Sequence, residues 1–184
     1  MIDKQNAIDA IMNFLHDETK RTFLVRGFDN DAKVNAVISC LNKVFSLGII
    51  RTSSMADISD HINRAFNRDL LPYNVKSTTT YKLGGMKVNI NSYVTHTKSN
   101  PKGNDNTFTL FHPVQTVLGN PKRYDKFLQE LKKTDSRKII LITTNEWSID
   151  NWDIENHVDQ VFFYSVENDN PNIMANLRRN GAIT

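Results

Sequence analysis

Gly27-Phe28-Asp29-Asn30-Asp31-Ala32-Lys33-Val34 is the stretch whose residue types and spacing come nearest to a chemical device. It lies between a β-rich run, Thr22 to Arg26, and a segment of helical periodicity. It keeps two of the four fixed positions of the phosphate-loop pattern G-x-x-x-x-G-K-[ST], in which backbone N–H groups cradle phosphates, lysine reaches the terminal ones and the hydroxyl holds Mg²⁺. Gly27 and Lys33 fall in register, but the second glycine is Ala32 and the hydroxyl residue is Val34, which cannot ligate a metal. Asp29 and Asp31 add two carboxylates where phosphate oxygens would sit. Like charges roughly 3–5 Å apart cost on the order of several kcal/mol at an effective dielectric near 20. Gly27 and Lys33 are therefore weak phosphate contacts, and a nucleoside triphosphate as a whole is repelled. As a plain strand–turn–helix unit the same residues need no ligand, and Lys33 is then a solvated first-turn residue.

Other reactive types are scattered. His16, His61, His96, His112 and His157 show neither His-Glu-x-x-His nor His-x-His spacing, so no metal ligand set is read from them. His112 follows a β-rich run, where α/β sheets place ligands, although packing is its expected role. No serine lies in a G-x-S-x-G elbow. Cys40, the lone cysteine, sits on an apolar helix face as a small core residue, which excludes an internal disulfide and a thiolate zinc cluster. Trp147 and Trp152 flank an acidic loop, one read as a core plug and the other as an exposed contact.

Charge is unevenly placed. Leu70 to Asn104 carries Lys76, Lys82, Lys87, Lys98 and Lys102 with no acid, interleaved with Tyr73, Tyr81 and Tyr93. Ile139 to Leu177 inverts this, with Glu146, Asp150, Asp153, Glu155, Asp159, Glu167 and Asp169 and no Lys or Arg. Such asymmetry steers association with other macromolecules; as a bland alternative, both are solvated faces.

The elements that must position these groups follow from periodicity. Ile8, Ile11, Met12 and Leu15 mark an amphipathic first helix within 3–19. After strand 22–26, Asp29-Asn30-Asp31 supplies cap types and Val34, Val37, Ile38, Leu41, Val44 and Phe45 trace a helix stopped by Gly48. Ile49 to Thr52 is a strand, and Ile58, Ile62 and Phe66 face inward on the helix that Ser53 or Ser54 caps. Residues 77–83 and 86–95 meet at Gly84-Gly85 as a hairpin. Pairing about that turn puts Thr79, Tyr81, Leu83, Met86, Val88 and Ile90 on one face and Thr80, Lys82, Lys87, Asn89 and Asn91 on the other, with Lys82 opposite Lys87. A strand over 107–114, a helix from Pro121, the very apolar strand 138–143 (read as central), a strand over 159–166 and a helix around Ile173, Met174 and Leu177 complete the chain. The expected fold is a three-layer α/β sandwich: a mostly parallel sheet of about five strands, helices on both faces and an inserted hairpin at about 77–95. One domain over 1–184 is expected, with an N-terminal helix in 1–20 and a core over 21–180 carrying the insertion at 75–100.

The order of elements, with Gly27 and Lys33 after the first strand and the phrase ILITTNEWSIDNWDIENHVDQVFFY, resembles the P-loop NTPase fold of the subclass with an extra central strand. That resemblance, over about 20–180, implies a parallel core ordered 5-1-4-3-2, a polar sensor at Thr144 or Asn145, and a late arginine at Arg178 or Arg179. It also implies a Mg²⁺-binding acid after the strand ending Phe111-His112-Pro113, where this sequence has none. With hydroxyl and acid both absent, the resemblance implies a domain that has lost phosphoryl transfer. A competing order, the α-β-β-β-α-β core of restriction-type nucleases, needs Asp and Glu-x-Lys on middle strands, and 70–104 holds no acid.

With 184 residues, 39% hydrophobic, 23% charged and net +3, the chain reads as one ordinary globular unit. No apolar run approaches the roughly 20 residues of a membrane-spanning helix. The start, MIDKQNAIDA, lacks a secretory pattern, so the cytoplasm is the expected location. Asparagine, about one residue in eight, suggests an A+T-rich source such as a low-GC bacterium, its phage or a mobile element. The expected function is a non-catalytic, P-loop-like binding or regulatory protein that acts on another protein or a nucleic acid. It is expected to work without a cofactor, ATP and GTP being disfavoured. Gly27, Lys33 and Asn145 are its weak nucleotide contacts; Lys76, Lys82, Lys87, Tyr93 and Lys98 are its partner contacts. Alternatives are a nucleotide-binding protein completed by a partner, and a nucleic-acid module using the basic hairpin.

Overall fold

Alternating apolar residues on short β-rich runs build one seven-stranded sheet. The computed structural model describes residues 1–95, 99–149 and 152–184, without the side chain of Trp147. In chain order the elements are α1 (Ile2–His16), β1 (Thr22–Arg26), α2 (Asn30–Val44), β2 (Leu47–Thr52), α3 (Ile58–Phe66), β3 (Thr80–Leu83) and β4 (Met86–Ser92). They continue with β5 (Thr107–Phe111), α4 (Pro121–Lys132), β6 (Lys138–Ile142), β7 (Gln160–Phe163) and α5 (Pro171–Arg179). The strands lie in the order β3-β4-β2-β5-β6-β1-β7. Every neighbouring pair is parallel except β3 with β4.

The three-layer α/β class is as expected; the strand count is seven rather than about five. The hairpin is the reason. Its second strand, β4, pairs in parallel with β2 from Leu47↔Lys87 to Thr52↔Ser92, so the pair extends the sheet instead of standing off it. β2 also separates β4 from β5, so the third strand of the nuclease-like order does not pair with the hairpin.

Strand alternation divides the core. Phe23, Val25, Ile50, Phe108, Leu110, Ile140 and Ile142 meet side chains of α1, α2, α3 and α5 on one face. Leu24, Phe111, Ile139 and Leu141 meet Phe127 and Leu131 of α4 on the other. β5 and β6 are buried at every position, which is why 138–143 reads as uniformly apolar. Its one charge, Lys138, is buried beneath α1 and donates to the carbonyls of Phe14 (2.9 Å), Asp17 (2.6 Å) and Lys20 (2.5 Å) at and just after the end of that helix.

Gly48 does not stop α2. The helix ends at Val44 because Phe45 turns extended, and Gly48 lies within β2 under the Phe108 ring, where a Cβ would fall 2.1 Å from a ring carbon. Among the described residues no helix is long and apolar enough to cross a membrane.

Candidate functional site

β1 runs into the turn at Gly27, α2 starts at Asn30, and β6 ends one residue before Thr143. These neighbours bring Gly27, Lys33 and Thr143 together. Lys33 is not the solvated residue of a plain first turn. It is fully buried, with its ammonium donating to the Gly27 carbonyl and to Thr143 Oγ1 (3.3 Å). Burial pulls its pKa from the ordinary 10.5 to about 8, while Glu146 and Asp29 hold it up.

Glu146, on the 3-10 turn after β6, is the counter-charge. Its carboxylate accepts from the Gly27 N–H (3.2 Å), from Thr143 Oγ1 (2.8 Å) and from the Arg26 guanidinium. Arg26 also pairs with Glu155 at 2.6 Å. The groups that would meet an incoming anion at this turn are thus held by the chain's own carboxylate. Gly27 is required sterically: its φ is +141°, and a Cβ there would lie 2.5 Å from the Tyr164 carbonyl oxygen. Asp29 caps α2 by accepting from the Ala32 N–H (2.9 Å), and Asp31 pairs with Arg64 (3.0 Å). Both carboxylates thus hold the helix start in place.

Asn145 is exposed, left-handed at φ 45°, and starts the turn that carries Glu146. It borders an adjacent pocket with Asn30, His61, His112 and Thr144, apart from Gly27 and Lys33. Where the resemblance implies an acid, the chain has His112, which is 2% exposed and faces His61 with ring centroids 5.5 Å apart. Burial, helped by the nearby charges of His61, Lys33 and Arg64, pulls its pKa down to about 3. Arg178 is paired with Glu167 on the surface.

At the other end of the sheet, the register Thr80↔Asn89, Tyr81↔Val88, Lys82↔Lys87 and Leu83↔Met86 places the two lysines directly opposite each other. Lys76, Lys82 and Lys87 are exposed. Two sequence expectations fail here. Asn91 is fully buried, because the Arg51 Nε donates to its Oδ1 (2.9 Å) while Arg51 also pairs with Glu130 of α4. Tyr93 is no surface contact; it is 7% exposed, packs on Phe111 and Phe127, and donates its hydroxyl to the Pro113 carbonyl. Both follow from β4 being an inner strand that α4 covers. Lys98, His96, Asp150 and the Trp147 side chain lie outside the described residues; Trp152 is half-buried beside Tyr124.

Among the described residues the acids of the acidic stretch are paired within the fold. Glu146 and Glu155 hold Arg26, Asp153 accepts from Tyr124 and His157, Asp159 from the Arg21 and Thr22 N–H groups, Glu167 holds Arg178, and Asp169 accepts from the Lys4 N–H. Sequence reasoning missed Arg26, Thr143, Glu146 and His61. Its only signal for Glu146 was a carboxylate soon after a buried strand. Set against known protein families, curated proteins and solved structures, the chain matches none.

Proposed function

We propose that the chain is a P-loop-NTPase-like protein that does not turn over nucleotide and acts by binding another macromolecule, with the lysine edge of the β3–β4 hairpin as its contact surface. The observation that carries the first half is the buried Lys33 ammonium, bound to the Gly27 carbonyl and Thr143 beside the Glu146 carboxylate. A phosphate entering here must displace a carboxylate already bound to Gly27 N–H and Arg26, and must sit near Asp29. Val34, buried at 2% exposure, offers no oxygen to a metal. The parallel strands without the hairpin's outer two lie in the order β7-β1-β6-β5-β2. This supports the P-loop resemblance, because numbered among themselves they run 5-1-4-3-2.

The second half rests on Lys82 facing Lys87 in water. Like charges directly opposite are mildly destabilising without an anionic partner. A polyanion laid along this edge gains from the lysines and releases counterions, which makes nucleic acid the favoured partner over an acidic protein surface. Two measurements test the reading. With Mg²⁺ and ATP or GTP, phosphate release should not rise above the no-protein background; turnover abolished by Lys33→Ala would overturn the first half. Fluorescence anisotropy with labelled single-stranded and duplex oligonucleotides should show binding that weakens with salt and is lost in Lys82→Glu/Lys87→Glu. Oligonucleotide binding unchanged in that variant across a salt series would overturn the second half.

A further inference from the structure

A pocket of about 260 Å³ opens where the carboxyl ends of β5 and β6 meet the start of α2 and the inner side of α3. Asn30 from α2, His61 from α3 and His112 from the end of β5 line it. Asn30 Oδ1, His61 Nδ1 and His112 Nδ1 are all buried without a hydrogen-bond partner among the described residues. An unsatisfied buried polar atom costs roughly 1–3 kcal/mol, and such atoms in folded proteins usually have a partner, protein or otherwise. The three residues that carry these atoms line one pocket from three elements, so a single ligand bound there could serve all three. We propose that it is a divalent transition-metal ion of the Zn²⁺, Co²⁺ or Ni²⁺ kind, held by His61 and His112 with the Asn30 amide oxygen as third protein donor.

The ring spacing is compatible with an ion. With metal–nitrogen bonds of about 2.1 Å, an imidazole centroid lies roughly 3 Å from the metal, so two ligating rings at a tetrahedral angle are about 5 Å apart. Here the centroids are 5.5 Å apart and the planes cross at 78°. The charges acting on the pair are mixed: Asp31, Asp57 and Asp60 against Arg64 and Lys33. Among the described residues no three His, Cys, Asp or Glu side chains converge, so the third donor must be an amide, and water must fill the remaining positions. That donor set suits imidazole-seeking ions and not Mg²⁺ or Ca²⁺, which favour oxygen ligands. The pocket has room for the ion and several waters at about 30 Å³ each. The inference is independent of the nucleotide and hairpin readings above.

The test uses the tag-free chain, stripped with chelator and titrated with Co²⁺ by visible absorption and with Zn²⁺ by calorimetry. One ion per chain is expected, with affinity at least roughly tenfold weaker in His61→Gln and in His112→Gln. Asn30→Ala should weaken it by a smaller factor, and equimolar Mg²⁺ should not compete. Circular dichroism checks that each variant folds. Should the buried His112→Gln fail to fold, His61→Gln, on a half-exposed position, decides alone. No saturable binding at millimolar metal overturns the proposal, as does a loss under threefold in a folded His61→Gln, which would assign the ion to other histidines.

Discussion

The β1–α2–β6 junction holds one lysine and the β3–β4 edge a facing pair, and they deal with the charge in opposite ways. At the junction, Lys33 is fully buried, so its ammonium must find acceptors inside the protein. It takes a carbonyl and a hydroxyl beside a carboxylate that is itself bound to Arg26 and a backbone N–H. At the edge, Lys82 and Lys87 face each other in solvent. Water screens them there, so nothing in the fold compels a counter-charge. Burial thus decides where a lysine remains available for chemistry. A buried cation is satisfied by the fold and is lost to external ligands, whereas an exposed like-charged pair stays open to them.

Junction and edge differ most at Glu146. Removing one member of a buried charge network leaves the other uncompensated, so Glu146→Ala should cost roughly 3–5 kcal/mol in urea unfolding. A loss below about 1 kcal/mol would show that the junction is no more self-satisfied than the edge.

The next effect is in the pH profile. Lys33 titrates at about 8 when folded and at 10.5 when unfolded, so between these values the unfolded chain binds more protons. Stability from this group therefore rises with pH across that window, by on the order of 3 kcal/mol in full. Lys33→Met should lack that rise when stability is measured from pH 7.5 to about 10.5. Parallel profiles for the two proteins would mean the ammonium is not confined as the geometry shows.

The smallest effect is expected at the edge. Lys82→Glu replaces a like-charged cross-strand pair by an opposite one, so it should stabilise the fold by about 0.2–1 kcal/mol, and less at high salt. A destabilisation of more than about 1 kcal/mol would mean that Lys82 is engaged within the fold, like Lys33.

Much of the architecture was legible from local pattern. The helices over 2–16, 30–44 and 121–132 carry apolar residues at 3.6-residue spacing. The hairpin register, including Lys82↔Lys87, followed from Gly84-Gly85 and strict alternation, since a two-residue turn leaves one pairing. Legibility stopped where a strand's neighbour lay far along the chain. Asn91 and Tyr93 read as wet because nothing local announces that β4 lies against β2 beneath α4; Gly48 read as a helix stop because the Phe108 ring above it comes from 60 residues later.

The candidate sites divide along the same line. Sequence alone determined that Gly27 and Lys33 stand at a strand–helix turn, that Val34 offers no metal ligand, and that the hairpin lysines share a face, because turn chemistry and side-chain period are local properties of the backbone. Only the tertiary structure decided that Lys33 points inward onto Gly27 and Thr143, that Glu146 closes the turn, and that His61 and His112 meet across a pocket. Those outcomes depend on which buried groups must find partners once β1, β5 and β6 lie side by side. In a low-dielectric interior that demand, rather than residue spacing, sets where each charge points.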